Sequence, residues 1–195
     1  MTKILLREIT ECTHEQKKAI RKIRNQNSVR ESMYTEHKIS LDEHLAWVHR
    51  LQRDNRQIVF IVLLDGLVGG VVSVNAIDRI HLKADWAFYL DASIRGGLGA
   101  AIEFGLINFT FQTLGLEKLN CEVIETNEAV VKLHKKFGFV EEGFKRENII
   151  KNENRLGVFC LGLTKSDWGK KKETVKKRYE RVINKFDLEI EYEPT

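Results

Sequence analysis

The chain contains, at residues 94–100, the glycine-rich turn Ile94-Arg95-Gly96-Gly97-Leu98-Gly99-Ala100. The turn connects a predicted strand, residues 85–90, to a predicted helix, residues 97–113, whose nearly uniform apolar character indicates burial on two sides. Glycine allows positive φ and close approach of a ligand, and the unpaired amides of a first helical turn attract an anion. With the charge of Arg95, the turn suits a phosphate or pyrophosphate, although three glycines are equally typical of a plain tight turn.

A second motif, NEAVVKLHKKFGF, begins about 27 residues after the turn and occupies residues 127–139. It starts with Asn127, has the pair Leu133-His134 in its middle and ends with Gly138-Phe139. The turn and this motif, at this separation, resemble the GCN5-related N-acetyltransferase (GNAT) superfamily. The resemblance covers roughly residues 85–145.

The predicted elements follow the order β-α-α-β-β-β-α-β-α-β-β-α, without an internal repeat. Two local signals are clear. Asp65-Gly66 predicts a tight hairpin turn, and Ser40 with Glu43 predicts a capping box at the start of a helix. The sequence therefore predicts an α/β (α+β) fold, in which a mixed central sheet of about seven strands carries helices on both faces.

The resemblance implies where this sheet holds its ligand. In the GNAT fold two neighbouring parallel strands splay apart to form the acetyl-CoA cleft, and here they would be residues 85–90 and 119–123. We expect the acetyltransferase domain to cover residues 1–168. A charged C-terminal helix and tail, residues 169–195, would follow, with Ser166 as the helix cap.

Charge and cysteine content exclude several classes of protein. The chain carries 32 Lys and Arg against 28 Asp and Glu, a net charge of +4. The basic excess lies in residues 170–185, and the nearly neutral remainder argues against a nucleic-acid partner. No apolar run is long enough to span a membrane, and the charged first residues are unlike a signal peptide. Three cysteines without CxxC spacing argue against disulfides and metal sites, so we expect a cytoplasmic protein without a metal.

The resemblance also implies which residues hold acetyl-CoA, the acetyl donor of the superfamily. The pantetheine arm pairs with the strand at residues 85–90 like an added strand, and Asn127 hydrogen-bonds it. The pyrophosphate lies on the amides of the turn, and the amide near Leu90 polarises the thioester carbonyl. The implied cofactor-binding residues are Leu90, Arg95, Gly96, Gly97, Leu98, Gly99, Ala100 and Asn127.

Catalysis requires a free amine to attack the thioester and an acid to protonate the departing thiolate. His134 occupies the position where the superfamily usually has a tyrosine acid, and imidazolium is a competent acid near neutral pH. His134 also shares an apolar helix face with Val130, so a buried core histidine is the alternative. Ser73 is the candidate that orients a water to accept the amine proton, and a hydrogen bond from Ser73 to the backbone is an equal alternative.

The N-terminal half contains Arg24-Asn25, Val29-Arg30, Met33, Ile39-Ser40, Glu43-His44 and Trp47. This set resembles the sugar-nucleotide acetyltransferases of pseudaminic acid biosynthesis, which acetylate the 4-amino group of UDP-4-amino-4,6-dideoxy-N-acetyl-altrosamine. The resemblance implies that two arginines bind the diphosphate, that an aromatic ring and a methionine pack on the base or sugar, and that a histidine bonds a phosphate or hydroxyl. A buried core and solvated arginines are the alternative for each residue. The implied substrate-binding residues are Arg24, Asn25, Arg30, Met33, His44 and Trp47.

We therefore expect an N-acetyltransferase that transfers acetyl from acetyl-CoA to the 4-amino group of a UDP-4-amino-4,6-dideoxy sugar, with a homodimer as its expected assembly. One alternative is a GNAT enzyme for protein N-termini or small-molecule amines, which should have an acidic groove. The other alternative is a catalytically silent module that binds CoA or nucleic acid.

Overall fold

The computed structural model describes residues 1–94 and 96–193, and Arg95, Pro194 and Thr195 lie outside the described residues. Within those bounds no helix is both long and apolar enough to cross a membrane. The described strands and α-helices are β1 Thr2–Glu8, α1 His14–Arg24, α2 Asn27–Glu31, α3 Leu41–Leu51, β2 Ile58–Leu64, β3 Leu67–Asp78, β4 Lys83–Leu90, α4 Leu98–Asn108, β5 Lys118–Ile124, α5 Glu128–Phe137, β6 Val140–Lys151, β7 Asn154–Thr164, α6 Lys165–Ile183 and β8 Phe186–Glu191.

All these strands form one sheet of eight, in the order β6-β7-β5-β4-β3-β2-β1-β8. β4 pairs with β5, and β1 with β8, in parallel, whereas the other neighbours are antiparallel. The predicted mixed α/β sheet is therefore confirmed. It has one strand more than the expected seven because β8 was not predicted. β8 alternates half-buried Phe186, Leu188 and Ile190 with exposed acidic residues, and the charge concealed this strand pattern.

Helices cover both faces of the sheet, as predicted. α4, α5 and α6 enclose the larger core, which contains Trp86 and Phe137. α1 and α3 enclose a second core around Ile61 on the opposite face, over β2 and β3. Farther along that second face, Asp85 on β4 and Glu122 on β5 are exposed. The face therefore passes from a helix-covered half to an open half at β4.

Of the two local signals in the sequence, the hairpin turn is formed as predicted and the capping box is formed only in part. Asp65 and Gly66 form the predicted hairpin turn, with φ of 46° and 86°. The predicted capping box is only half formed. The Ser40 hydroxyl accepts from the Glu43 amide at 3.1 Å. The Glu43 carboxylate bonds instead to His37 Nε2, 2.9 Å away, because that partner lies beside the start of α3.

The helix cap predicted at Ser166 is wrong. α6 begins directly after Thr164, whose hydroxyl accepts from the Asp167 amide at 3.1 Å. α6 also buries Trp168 and Val175 against the body of the protein, so one of its faces is packed.

The C-terminal segment approaches α4 closely. A Cβ added at Gly97 would lie 2.6 Å from Val182 of α6, and one added at Gly105 would lie 2.8 Å from Leu188 of β8. Only glycine therefore fits at either position without displacement of these side chains. A domain boundary at residue 168 stays a prediction.

Candidate active site

β4 and β5 diverge soon after they begin. Their parallel ladder ends at the pair Asp85 and Asn120, whereas β4 continues through Trp86 to Leu90. β5 meanwhile keeps its antiparallel partner β7 along its whole length. The edge of β4 that faces β5 thus has no strand partner among the described residues from Trp86 onward. This opening, here called the β4–β5 gap, is the cleft that the resemblance implies.

The glycine-rich turn lies where β4 passes into α4. Gly96 and Gly97 have φ of 92° and 90°, backbone angles that other residues rarely adopt. A Cβ added at Gly96 would meet nothing within 4 Å, so the backbone there is open to a ligand. Gly97 is the N-cap residue of α4, and no side chain caps the start of this helix among the described residues. A diphosphate fits this environment.

The first turn of α4 has fewer available amides than predicted. The amides of Leu98 and Gly99 have no backbone acceptor among the described residues, as is usual at a helix start. The Ala100 amide, in contrast, donates to the Gly97 carbonyl at 3.0 Å, so that predicted ligand contact is already occupied within the helix. Arg95, the predicted cation of this turn, lies outside the described residues.

Asn127 precedes α5 on the β5 side of the gap. Its side chain makes no capping hydrogen bond to the helix. The residue lines a pocket of about 420 Å³ together with Lys151 of β6 and Ser32, which follows α2. The amide group is therefore available to a polar ligand at this edge of the gap.

His134 lies on the α4–α5 side of the sheet, beneath the β4–β5 gap. It is 3% exposed, and its ring centroid is 5.1 Å from that of Trp86, the first β4 residue beyond the ladder. Nδ1 lies 2.8 Å from Glu103 Oε1 of α4. Nε2 has no hydrogen-bond partner among the described residues. His134 is thus a buried residue, as the alternative predicted, and it also borders the gap.

Ser73 lies on the opposite face of the sheet. Its hydroxyl donates to the Ala87 carbonyl at 3.4 Å and accepts from Asn75 Nδ2 at 2.9 Å. Asn75 stands opposite Asp85 in the β3–β4 register, and Asp85 accepts from Asn120 Nδ2 at 3.2 Å. These side chains form a polar row across β3, β4 and β5, at the base of the gap.

Arg24 and Arg30 are hydrogen-bonded to the fold at some of their guanidinium nitrogens. Arg24 Nη2 donates to Thr35 Oγ1 at 3.0 Å. Arg30 Nη1 donates to the Glu36 carbonyl at 2.7 Å, and its Nη2 donates to Asn27 Oδ1 at 2.8 Å. Buried Arg24 Nη1 and Arg30 Nε have no hydrogen-bond partner, and neither guanidinium forms an ion pair with a carboxylate in residues 1–94 and 96–193. Burial lowers the pKa of Arg24, and the charge of Arg30 contributes to that shift.

The other predicted substrate residues contact the protein itself, in and around the segment between α1 and α3. Asn25 exchanges two hydrogen bonds of 2.9 Å with the backbone of Ile39. His44 is 3% exposed, and its Nε2 lies 2.8 Å from a carbonyl of α1. Burial lowers the pKa of His44. Met33 and Trp47 pack partly buried on the second core. These contacts favour the packing alternative for His44 and Asn25.

Several polar groups near the gap were not predicted. Lys151 is 5% exposed, and its ammonium donates to three backbone carbonyls at the end of α2 and just beyond it, at 2.6 to 2.8 Å. Glu122 on the open face bonds to Tyr34 and Lys145. Glu103 is fully buried. In the sequence, the one indication that Glu103 is unusual is its place as a carboxylate within an otherwise apolar helix.

Comparison with known proteins identifies the class to which this site belongs. The family model for the acetyltransferase (GNAT) domain matches residues 9–156. The chain therefore belongs to the GNAT acetyltransferase family. It is an N-acetyltransferase of the GNAT type, and its cosubstrate is acetyl-CoA.

Individual relatives differ in their acceptors. The chain is 26% identical to the acetyltransferase PseH of Campylobacter jejuni over 137 residues, which are 70% of this chain and 84% of PseH. It is also 26% identical to the putative ribosomal N-acetyltransferase YdaF of Bacillus subtilis over 108 residues, 55% of this chain and 59% of YdaF. The spermidine N(1)-acetyltransferase of Escherichia coli is 29% identical over 91 residues, 46% of this chain and 49% of that protein. The spermidine N-acetyltransferase of Vibrio cholerae, solved with CoA and spermine, has a TM-score of 0.78 at 23% identity. That match covers 85% of this chain and 97% of that one, and it shows a shared fold.

Proposed function

We propose that the acceptor amine is the 4-amino group of a UDP-linked 4-amino-4,6-dideoxy sugar. The observation that carries this proposal is the pair Arg24 and Arg30: each has one buried guanidinium nitrogen without a partner, and neither has a carboxylate counter-ion among the described residues. Part-buried cations without a counter-ion are unfavourable, and a diphosphate would supply one in bidentate geometry. The resemblance of the N-terminal half to sugar-nucleotide acetyltransferases supports this acceptor class, and the acetyltransferase PseH is among the relatives.

The proposed reaction uses both faces of the sheet. Acetyl-CoA supplies the thioester, which would lie in the β4–β5 gap with its diphosphate at the amides of Leu98 and Gly99. The amine attacks the carbonyl carbon, so that a C–N bond forms and the C–S bond breaks. On the open face, Ser73 orients a water that accepts the proton of the amine. On the opposite face, His134 Nε2 gives a proton to the departing sulfur, so the two proton transfers stay separate.

A polyamine is the second candidate acceptor, because Asp85 and Glu122 are exposed carboxylates on the open face. The similarity to a spermidine acetyltransferase points the same way. Glu122, however, is already neutralised by Lys145. Asp85 has no cationic partner among the described residues. A single free carboxylate is a small negative charge for the binding of a polycationic ligand.

A direct test measures CoA release from acetyl-CoA with three acceptors: a UDP-4-amino-4,6-dideoxy sugar, spermidine, and a peptide with a free N-terminus. We expect turnover with the UDP-sugar and at least tenfold lower kcat/KM with the other two. Arg24→Met and Arg30→Met should raise the KM for the UDP-sugar about tenfold or more, because each removes a cation from the diphosphate. Arg50→Met, at an exposed position of α3, is the charge-matched control. Absence of turnover with every UDP-4-amino-sugar sinks the proposal, and turnover with spermidine alone supports the second candidate.

We further propose that the enzyme is a cytoplasmic homodimer. The described cysteines Cys12, Cys121 and Cys160 are free thiols, which suits a reducing compartment. A solved spermidine N-acetyltransferase of Vibrio cholerae is described as dodecameric, so self-association occurs in this fold. Light scattering of the purified protein distinguishes a monomer, a dimer and a larger ring.

A further inference from the structure

A buried carboxylate lies behind His134. Glu103 of α4 is 0% exposed, and its Oε1 is 2.8 Å from His134 Nδ1, whose own side chain is 4% exposed. The second carboxylate oxygen, Oε2, is buried and has no hydrogen-bond partner in the described part of the chain. A carboxylate in an apolar core is unfavourable unless a specific partner compensates for its burial. His134 is that partner.

The surroundings of the pair are almost entirely apolar and aromatic. The rings of Trp86 and Phe139 lie 5.1 Å and 5.4 Å from the His134 ring. The charge of Glu103 in turn raises the pKa of two weak acids, the Cys121 thiol of β5 and the Tyr179 phenol of α6, after the larger effect of their own burial. Burial raises the pKa of the Glu103 carboxyl, and the hydrogen bond from His134 opposes that rise. In the described part of the chain, no Lys or Arg forms an ion pair with this carboxylate.

The hydrogen bond fixes which nitrogen of the imidazole faces away from α4. A carboxylate accepts, so Nδ1 must carry a proton toward Glu103 whenever Glu103 is ionised. Nε2 then lies on the other side of the ring and is left for a ligand. In imidazolium it carries the second, transferable proton. After transfer the ring keeps its proton on Nδ1, and the hydrogen bond to Glu103 remains intact.

We propose that Glu103 is the positioning residue of this acetyltransferase: it holds His134 in the tautomer and orientation in which Nε2 delivers a proton to the thiolate that leaves when the C–S bond breaks. The inference rests on the proposed role of His134. It does not depend on which amine attacks. Glu103 acts through His134 and does not touch the reacting atoms.

Two substitutions separate positioning from packing. Glu103→Gln keeps the shape but can donate as well as accept, so it no longer fixes the tautomer. Glu103→Leu removes the carboxylate and fills the space, but it leaves the Nδ1–H of His134 without an acceptor and so lowers stability, and Glu103→Gln carries the test if this variant does not fold. We expect both variants to lower kcat about 10-fold to 100-fold, with KM for acetyl-CoA within twofold of the wild type.

Thr110→Val is the matched control, since Thr110 also has a buried side-chain oxygen without a partner in the same core. It should leave kcat and the tautomer of His134 unchanged. In the His134→Phe background, Glu103→Gln should have no further effect on kcat, because there is no imidazole left to position.

A measurement without substrate keeps the test independent of the acceptor. Long-range ¹H–¹⁵N spectra of the free protein report the tautomer of each histidine ring. We expect His134 to be protonated at Nδ1 in the wild type and to become a mixture in Glu103→Gln. An unchanged tautomer together with unchanged kcat in a folded Glu103→Gln protein overturns the inference. If the UDP-sugar is not acetylated, the proposed function fails, whereas the tautomer result still decides the role of Glu103.

Discussion

Substitution of Lys151 tests how the acceptor side of the active site is held in place. The ammonium of Lys151 ties the β6–β7 hairpin to the carbonyls of Arg30, Glu31 and Met33, at 2.8, 2.8 and 2.6 Å. Cations suit this position because the end of a helix presents unpaired carbonyls and negative dipole charge. Lys151→Met keeps the length of the side chain but removes all three hydrogen bonds. It therefore releases the segment that carries Arg30 and Met33.

The expected size of the effect follows from these contacts. The loss of three charge-assisted hydrogen bonds costs about 1 kcal/mol each, although the Arg30 carbonyl keeps a bond from the Met33 amide at 3.1 Å. Lys151→Met also removes the desolvation cost of the ammonium, which offsets part of that sum. We expect a loss of about 2 kcal/mol in the free energy of unfolding. For a domain of this size that is a fall of roughly 4–8 °C in Tm.

Urea denaturation and steady-state kinetics together measure the outcome. The KM for the acceptor should rise about fivefold or more, and the KM for acetyl-CoA should stay within twofold, because the glycine-rich turn lies on the other side of the gap. Lys176→Met, an exposed lysine of α6, is the control and should change neither quantity. If Lys151→Met has the same stability and the same acceptor KM as the wild type, the idea that this lysine holds the acceptor segment is refuted.

Three further substitutions test other parts of the structure. His134→Phe should lower kcat about 100-fold with little change in the KM for acetyl-CoA, because a general acid contributes about that much; an unchanged rate removes His134 from the proposed reaction. Gly97→Ala should destabilise the fold by about 2–4 kcal/mol through positive φ and the 2.6 Å approach of Val182, measured by denaturation. Gly96→Ala has open space at its Cβ, so it should lower the free energy of unfolding only through backbone strain. Adding Val182→Ala should restore part of the free energy of unfolding in Gly97→Ala but not in Gly96→Ala. Leu188→Asp should lower the free energy of unfolding by about 2–3 kcal/mol, because it places a charge against Gly105 of α4. Exposed Asp187→Asn should change it by less than about 0.5 kcal/mol, and equal effects would contradict the packing of β8 on α4.

Much of the fold could be predicted from local patterns. The hairpin at Asp65 and Gly66, the strand before the glycine-rich turn and the helix that carries His134 all follow from period, turn chemistry and motif spacing. These signals act over a few residues, so they are visible in the sequence. β8 was not predicted because its partner β1 lies at the other end of the chain, and a strand at the edge of a sheet keeps one acidic, solvent-exposed face.

The active site was less predictable because its side chains have long-range partners. His134 was found through its motif, but its partner Glu103 lies 31 positions earlier, on another helix. Lys151 resembles any turn lysine in the sequence, yet its ammonium reaches carbonyls about 120 positions away. His44 and Asn25 were assigned to substrate from a resemblance, whereas the structure shows that backbone groups already occupy them. Residue type and spacing cannot show which polar groups the fold itself satisfies.

Two contacts of the C-terminal segment have a consequence for biosynthesis. Val182 packs against Gly97, and Leu188 packs against Gly105. α4 begins at the glycine-rich turn, but the residues that cover its outer surface are translated about 80 positions later. While the ribosome is still making α6 and β8, α4 has an uncovered apolar side and β1 an unpaired edge. Exposed apolar surface and an unpaired strand edge favour aggregation of a nascent chain in that state. The glycine-rich turn gains its contact with Val182 only after α6 has left the exit tunnel. Acetyl-CoA should therefore protect the finished protein and not the growing one.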